Sequence, residues 1–302
     1  MQAVLEHSPP KGASERKGKR TGLLLLSPAV LILLVWSLVP LAMTLWYSLI
    51  NYNLIDPTLH GFAGFSNYWY LLTDPDFLYS LLHTVILVVG VLIISVGGGT
   101  LLAILYDQEF FGRGIARVLV ISPFFVMPTV SALLWKNLML HPIYGVYSAM
   151  MRAVGLTPID WLARFPLLTV MMIVSWEWLP FAVLILLTAV QSLDSEQKEA
   201  ARMDGAGPIA QFRHIILPHL SRAISVVVMI ETIYLLTIFA EISVTTAGGP
   251  GVASTNLAYL IYSRALLQFD VGGASAGGVL AIIIANVAAM FLVRSVARNL
   301  EV

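Results

Sequence analysis

Cysteine is absent from this chain of 302 residues, and charged residues are scarce. Without cysteine, thiolate chemistry and cysteine-ligated metal sites are excluded, and the redox compartment is left open. Charged residues make up 11% of the chain, well below the roughly 25% of a soluble domain. Hydrophobic residues account for 58%, and the mean hydropathy is +0.85. These values predict an integral membrane protein.

Motifs for nucleotide hydrolysis and metal binding are also missing. No G-x-x-x-x-G-K-[ST] phosphate loop occurs, since Gly97-Gly98-Gly99 lies in an apolar run with no lysine after it. The histidines do not pair at metal-ligand spacing; they are His7, His60, His83, His141, His214 and His219. No Ser/His pair and no paired acids on one helix face support an intramembrane enzyme. We therefore expect neither a cofactor nor catalysis in this chain.

Six apolar runs are long enough to cross a hydrocarbon layer of about 30 Å, which takes about 20 helical residues. They cover approximately residues 22–49, 78–106, 115–139, 166–191, 223–245 and 274–296. Hydrocarbon offers no partner for backbone groups, and the alternation of a barrel strand is absent, so we predict an all-α, polytopic protein with six transmembrane helices. The first run is too long for a cleaved signal peptide. Pro123, Pro128 and Pro180 predict kinks.

Lysine and arginine predict the orientation. Thirteen of the 17 lie within residues 11–20, 113–117, 198–222 and 294–298, which all fall on one side of a six-span chain. The positive-inside rule places that side, with both termini, in the cytoplasm. We interpret residues 1–20 as a flexible cytoplasmic tail that binds no nucleic acid, and 21–302 as the transmembrane domain. The loops at 51–77, 140–165 and 246–273 are predicted to be external, and the second of them to hold a re-entrant or interfacial element.

A polar segment at 192–222 interrupts the hydrophobic chain on the predicted cytoplasmic side. Its capping residues, glycine and prolines predict two short helices. Asp194 or Ser195 can cap the first helix, and Gly205 suits a left-handed position just after its end. Pro208 fits the first turn of the second helix, and Pro218 marks the passage to the fifth span.

Ile209, Phe212 and Ile216 give the second helix of this segment an apolar stripe. The stripe either packs on the membrane base of the protein or docks a cytosolic partner. A merely solvated loop would need neither helix caps nor a tight glycine turn, so defined packing is favoured in both cases.

The segment resembles the EAA loop of permease subunits in binding-protein-dependent ABC importers. Glu199-Ala200-Ala201, Gly205, Ile215 and Leu217-Pro218 match the spacing of that loop without a gap, and Asp204 and Phe212 are similar to its carbohydrate branch. GFAGFSNYWYLLTDPDF before the second span and TAGGPG before the sixth resemble maltose and glycerol-phosphate permeases, and sorbitol and mannitol permeases more closely. The chain lacks the extra N-terminal spans and large external insert of the maltose subunit.

The resemblance implies a type I importer permease fold and an inner-membrane complex. Its partners would be a second permease subunit, two ATP-binding subunits that hold ATP and Mg²⁺, a periplasmic solute-binding protein and membrane lipid. The segment 192–222, here the coupling loop, would receive the ATP-binding subunit. Glu199 would be a polar contact, Gly205 the turn, and Leu217-Pro218 the connection into the membrane.

Glu177 and Glu231 lie inside predicted spans, where ionisable groups are costly and indicate function. Carboxylates beside aromatic rings suit the hydroxyls and C–H faces of sugars and polyols. In register with the maltose permease, the solute contacts would be Ser175, Glu177, Trp178, Phe181, Glu231, Tyr234 and Ile238. Alternatively, each glutamate is a protonated structural residue bonded to a neighbouring helix.

Three further residue groups have structural interpretations. Trp176 is expected to pack, and Lys136 and Glu241 to be interfacial anchors near external span ends, with a gating role as the alternative for both. Gly273-x-x-x-Gly277 predicts a close helix approach.

The expected function is transport of a sugar alcohol or small saccharide by alternating access, with ATP hydrolysis supplied by another subunit. The alternative is a stand-alone secondary transporter or channel for a small polar solute. We find no internal repeat, so a transporter built from duplicated halves has no support in the sequence.

Overall fold

A computed structural model describes residues 11–56, 58 and 61–300, without the side chains of 11–24, 195 and 295–300. Within that part of the chain, helices dominate and one two-stranded antiparallel ribbon lies between the first two long helices. The helices are α1 (Lys11–Tyr47), α2 (Ser66–Thr73), α3 (Pro75–Asp107), α4 (Arg113–Ile121), α5 (Pro128–Leu133), α6 (Val146–Ala153), α7 (Trp161–Arg164), α8 (Pro166–Gln191), α9 (Ser195–Met203), α10 (Pro208–Gln211), α11 (Leu217–Leu235), α12 (Ala240–Thr245), α13 (Leu257–Tyr262) and α14 (Val271–Leu300). The strands are β1 (Ile50–Asn51) and β2 (Gly61–Phe62), with Ile50 opposite Phe62.

Four tighter or wider helical turns extend these helices. A 3₁₀ turn, Ser122–Phe125, continues α4, and π turns follow α5, α10 and α13 at Leu134–Met139, Phe212–Ile216 and Ser263–Leu267.

Five helices are long and apolar enough to cross a membrane among the described residues, which confirms the all-α, polytopic prediction. The third predicted span differs, because Arg113–Phe125 and Pro128–Met139 meet at an angle of 101°. Pro128 forces the preceding Met127 into an extended conformation, and Val126 is extended as well. Counting this bent pair as one span gives the predicted six. The kink at Pro123 and Pro128 is confirmed, whereas α8 runs through Pro180 without interruption.

Residues 11–20 of the predicted tail form the first turns of α1. Their sequence, KGASERKGKR, holds five lysines and arginines, which favour helix, and contains no proline. Residues 1–10 of the predicted tail lie outside the described residues.

The fifth predicted span, 223–245, has different bounds. A continuous helix runs over Pro208–Leu235, and α12 follows as a separate helix after a turn at 236–239. The second helix of the coupling loop is therefore not a short separate element, and Leu217-Pro218 lies inside a helix. The N–H of Leu217 bonds to the carbonyl of Phe212 in a wide π turn, which accommodates the proline ring that follows.

The helices pack around α3 and α8, which share the most extensive helix–helix interface. Leu87 and Val91 of α3 and Val170 and Val174 of α8 are buried together in one core cluster. Further toward the C-terminal ends of α3 and α8, Gly99 permits close contact between the two helices. A methyl group built on Gly99 would lie 2.8 Å from Cβ of Ala182. Gly99 of the triple glycine therefore serves helix packing.

The predicted Gly273/Gly277 pair behaves unequally. A methyl group on Gly277 would lie 3.1 Å from Cγ1 of Ile261 in α13, so this glycine does permit a close approach. Gly273 faces the Asp270 carboxylate instead, which accepts its N–H at 2.9 Å and caps α14. For Gly273 the prediction of a helix contact is wrong.

Replacing Gly99 with alanine is expected to destabilise the protein by about 1–3 kcal/mol, because the new methyl group overpacks the α3–α8 contact. Gly97→Ala is the matched control, since no atom lies within 4 Å of a methyl group built there. The measurement is the thermal unfolding midpoint of both purified variants in the same detergent. Equal midpoints for the two variants would contradict the assigned role of Gly99.

Candidate functional site

The turn of the coupling loop has the geometry predicted for it. The Asp194 carboxylate accepts the N–H of Glu196 at 2.9 Å and caps α9. At the other end, Gly205 has φ +78°, its N–H bonds to the Arg202 carbonyl at 3.0 Å, and the N–H of Ala206 bonds to the Ala201 carbonyl at 2.9 Å. These two bonds constitute a Schellman motif. The cap and the left-handed glycine are confirmed.

Most side chains of the coupling loop are exposed. Glu199, Ala200, Asp204, Leu217 and Pro218 are accessible, and Ala201 and Ile215 are half-buried. The loop thus offers a broad face to a partner.

The apolar stripe of the coupling loop divides between the two interpretations. Ile209 is 82% exposed, whereas Ile216 packs against the buried core between α3 and α8. Met203 is likewise exposed on the other side of the turn. The part of the stripe near the turn is available to a partner, and the part near the membrane holds the loop to the protein.

Hydrogen bonds fix the two ends of the coupling loop to each other. The His219 ring lies 3.0 Å from the Ala189 carbonyl and 3.1 Å from Oγ of Ser192, so the start of α11 is held against the end of α8. Within the loop, the side-chain amide of Gln211 donates to the Ala206 carbonyl at 2.7 Å.

An aromatic cluster forms where α8, α11 and the broken third span meet. Trp178 lies 5.0 Å from Tyr234, 6.0 Å from Phe181 and 5.9 Å from Phe124, between ring centroids. Tyr234 is 56% exposed, and Phe124 also reaches the surface. Three predicted solute contacts are thus brought together, and Phe124 joins them from the 3₁₀ turn that ends just before the break in the third span.

The predicted carboxyl groups are buried and face different helices. Ser95 of α3 donates to Oε2 of Glu231 at 2.5 Å, and Glu231 is completely buried. Glu177 is also buried and faces Ser131 of α5 and the Glu241 carboxyl of α12, while its Oε1 has no hydrogen-bond partner. Glu231 therefore connects α11 to α3 in this conformation, and Glu177 lies buried where α8 meets α5 and α12.

Two predicted interfacial anchors have other roles. Glu241 is buried beside Glu177, so its assignment to the interface is wrong. Lys136 is partly buried and donates to the Val244 carbonyl at 2.8 Å, at the end of α12. Sequence alone could not assign these partners, because more than 60 residues separate the two members of each pair.

The two remaining predicted solute contacts are buried, and Trp178 packs against the core cluster that holds one of them, Ile238. Ser175 is buried with an unpartnered hydroxyl, and Ile238 belongs to the core formed with Val170. Trp176 packs edge-on against Trp135 at 5.7 Å, as predicted. Among the residues that the structure describes, no group of three histidine, aspartate or glutamate side chains could hold a metal ion.

Known proteins of similar sequence and fold are membrane components of importers. Residues 86–302 match the family described as the inner membrane component of binding-protein-dependent transport systems. A probable ABC transporter permease, y4oQ of Sinorhizobium fredii, is 34% identical, with 82% of this chain and 81% of the relative covered. The trehalose/maltose permease MalF of Thermococcus litoralis is 32% identical, with 81% and 83% covered.

A solved structure extends the likeness to the fold. A bacterial ABC transporter that imports the acidic polysaccharide alginate matches with a TM-score of 0.79 at 21% identity, over 96% of this chain and 99% of that one. The alternative of a stand-alone transporter or channel is not supported by these relatives. The chain belongs to the family of binding-protein-dependent transport system inner membrane components, and it is an ABC transporter permease subunit rather than an enzyme.

Proposed function

We propose that this subunit moves a sugar alcohol or a small saccharide from a periplasmic binding protein into the cytoplasm by alternating access. This solute class is supported by the names of the relatives, which are transporters of trehalose and maltose, of sn-glycerol-3-phosphate and of alginate. Both termini and the coupling loop lie in the cytoplasm in this proposal. A second permease subunit completes the pathway, and ATP and Mg²⁺ are bound by the ATP-binding subunits.

The aromatic cluster is the observation on which the solute site depends most. Ring faces cover the C–H surfaces of sugars and polyols, and the rings of Trp178, Phe181 and Tyr234 form one partly exposed surface. That surface is built from two helices that leave the two ends of the coupling loop. The contact between a bound solute and this surface would therefore depend on the angle between these helices.

Glu177, Glu231, Ser175 and Ile238 complete the proposed site in a second conformation. All four side chains are buried in this conformation, so a solute can contact them only when the helices separate. The unpartnered Oε1 atoms of the two glutamates, and the unpartnered Oγ of Ser175, are free acceptors for hydroxyl groups in that open state. Sites of this kind exchange protein–protein contacts for protein–solute contacts during transport.

The exposed part of the coupling loop supports its proposed role as the docking site of the ATP-binding subunit. Glu199 and Asp204 offer carboxylates, and Met203 and Ile209 offer apolar side chains, all on the outside of the Gly205 turn. Ala200, Ala201, Ile215, Leu217 and Pro218 shape the two helices that carry the turn. Displacement of this turn would move α8 and Pro208–Leu235 as rigid bodies.

Transport should depend on the ATP-binding subunit and on the solute. The complex, reconstituted in liposomes with its binding protein, is expected to hydrolyse ATP faster when trehalose, maltose, sorbitol or mannitol is supplied. If none of the four solutes raises ATP hydrolysis above its basal rate, the proposed solute class is wrong.

Gly205→Ala is expected to uncouple hydrolysis from transport. A side chain at φ +78° costs about 1–2 kcal/mol, which lowers the equilibrium constant for forming the turn by roughly 5- to 30-fold. Gly207→Ala is the matched control, because Gly207 has φ −67° and open space around it. Solute-stimulated ATP hydrolysis is measured for both, and an equal response would contradict the role of Gly205.

Trp178→Ala is expected to raise the half-saturating solute concentration about 5- to 30-fold, because loss of a ring face removes on the order of 1–2 kcal/mol of contact. Trp176→Ala provides the control, since its ring packs on Trp135 outside the cluster. Uptake is measured against solute concentration, with expression levels matched. A larger effect in Trp176→Ala would reject the proposed surface.

Glu177→Gln and Glu231→Gln separate solute binding from helix bracing. The amide oxygen at position 231 can still accept from Ser95, so a purely structural role predicts unchanged solute affinity. We expect the half-saturating concentration to rise several-fold in both variants, because a carboxylate forms the stronger bond to a hydroxyl. Unchanged values in both would remove the glutamates from the proposed site.

A further inference from the structure

An ion pair joins the coupling loop to the second span. The Nζ of Lys198 in α9 lies 2.8 Å from Oδ2 of Asp107, the last residue of α3. The two side chains are only 22% and 28% exposed, so water screens the pair less than an open surface pair. Ninety-one residues separate them along the chain.

The position of Asp107 is unfavourable by the local rules of helix structure. A carboxylate at a helix C-terminus opposes the helix dipole, and the last turn of α3 holds no basic residue to offset it. Lys198 supplies that charge from another element. The pair is therefore a tertiary contact that neither helix would favour on its own.

Lys198 is one of few residues through which α9 touches the membrane helices. Contacts of α9 with other elements are sparse, and Glu199 and Ala200, which follow Lys198, are exposed. Ala201, on the same helix face, is half-buried, and Leu193 before the helix is buried. A charged contact next to Glu199 thus determines how α9 lies on the protein.

Asp107 lies at a junction of three elements. The Arg117 guanidinium of α4 donates to the carbonyl of Tyr106, the neighbour of Asp107, which holds the start of the broken third span to the same point. Twelve residues back along α3, about 18 Å at 1.5 Å per residue, Ser95 holds Glu231 of α11. One rigid helix therefore connects Lys198 to a proposed solute residue.

We infer that Lys198 and Asp107 form a positioning link that carries displacement of α9 into α3 and, through Ser95, to Glu231. The inference rests on the proposed coupling role of the loop and adds a second route beside α8 and α11. The link holds α9 in place for its partner and does not itself contact ATP or solute.

The test is a charge exchange in the full reconstituted complex. Lys198→Asp and Asp107→Lys each place like charges together, and the double variant restores the pair in reverse. We expect each single variant to lower solute transported per ATP about tenfold, and the double variant to return to within about threefold of wild type. Glu109→Lys, an exposed charge reversal two residues beyond Asp107, is the control and should leave the ratio unchanged.

The ratio of solute transported to ATP hydrolysed distinguishes a contact that transmits movement from one that only stabilises the fold. If the pair only stabilises the fold, the single variants lower protein stability and transport together and leave the ratio unchanged. That result would overturn the inference. Failure of the double variant to recover the ratio would overturn it too. If wild type itself shows no solute-stimulated hydrolysis, the proposed function has failed, and the second measurement below still tests the link.

A distance measurement tests the link without a solute. Because the chain has no cysteine, spin labels can be placed through Gln197→Cys in α9 and Leu105→Cys in α3, both at exposed positions. We expect one narrow distance distribution with and without ATP plus vanadate, and a broad one when Lys198→Asp is added. A wild-type distance that changes between the nucleotide states would show that α9 moves independently of α3.

Discussion

Backbone groups inside a hydrocarbon layer must find partners within the protein, and this constraint shapes two of the helix breaks that the structure describes. At the break after α11, the side-chain amide of Asn256 donates to the free carbonyl of Ile238 at 2.6 Å. At the end of α12, Lys136 donates to the carbonyl of Val244. Polar side chains distant in sequence thus make an interrupted span tolerable, and they tie the segment after α11 to the start of α13 and the end of α12 to the third span.

The same constraint explains why buried polar side chains lie between helices rather than toward lipid. Ser95 and Glu231 satisfy each other across α3 and α11, whereas Glu177 faces Ser131 and Glu241 with one acceptor unsatisfied. An unsatisfied buried acceptor costs about 1–3 kcal/mol. A state that offers this oxygen a donor is favoured by a similar amount, which is what a conformational cycle requires.

Local chemistry accounts for what the sequence could predict. Span length, the Asp194 cap and the Gly205 turn depend on residues within a few positions of each other, and these predictions agree with the structure. Phe124 and Ser95 are not distinguished by the sequence, and Glu241 is assigned to an interface, because the roles of all three depend on partners on other helices. Kinks at Pro123 and Pro128 are predicted, but the sequence does not give the 101° angle between the two halves of the third span. The helix of the fifth span begins earlier than predicted because a π turn accommodates Pro218.

The geometry of the coupling loop relates its movement to the aromatic cluster. Trp178 lies 13 residues before the end of α8, about 20 Å along the helix, and Tyr234 lies 26 residues from Pro208, about 39 Å along the other helix. Their rings are 5.0 Å apart, so the two helices lie close together at the cluster. His219 holds the start of α11 to the end of α8 beside the coupling loop, and rotation about that contact would change the ring separation. In the proposed mechanism, a small displacement at Gly205 would thus open or close the surface that Trp178 and Tyr234 share.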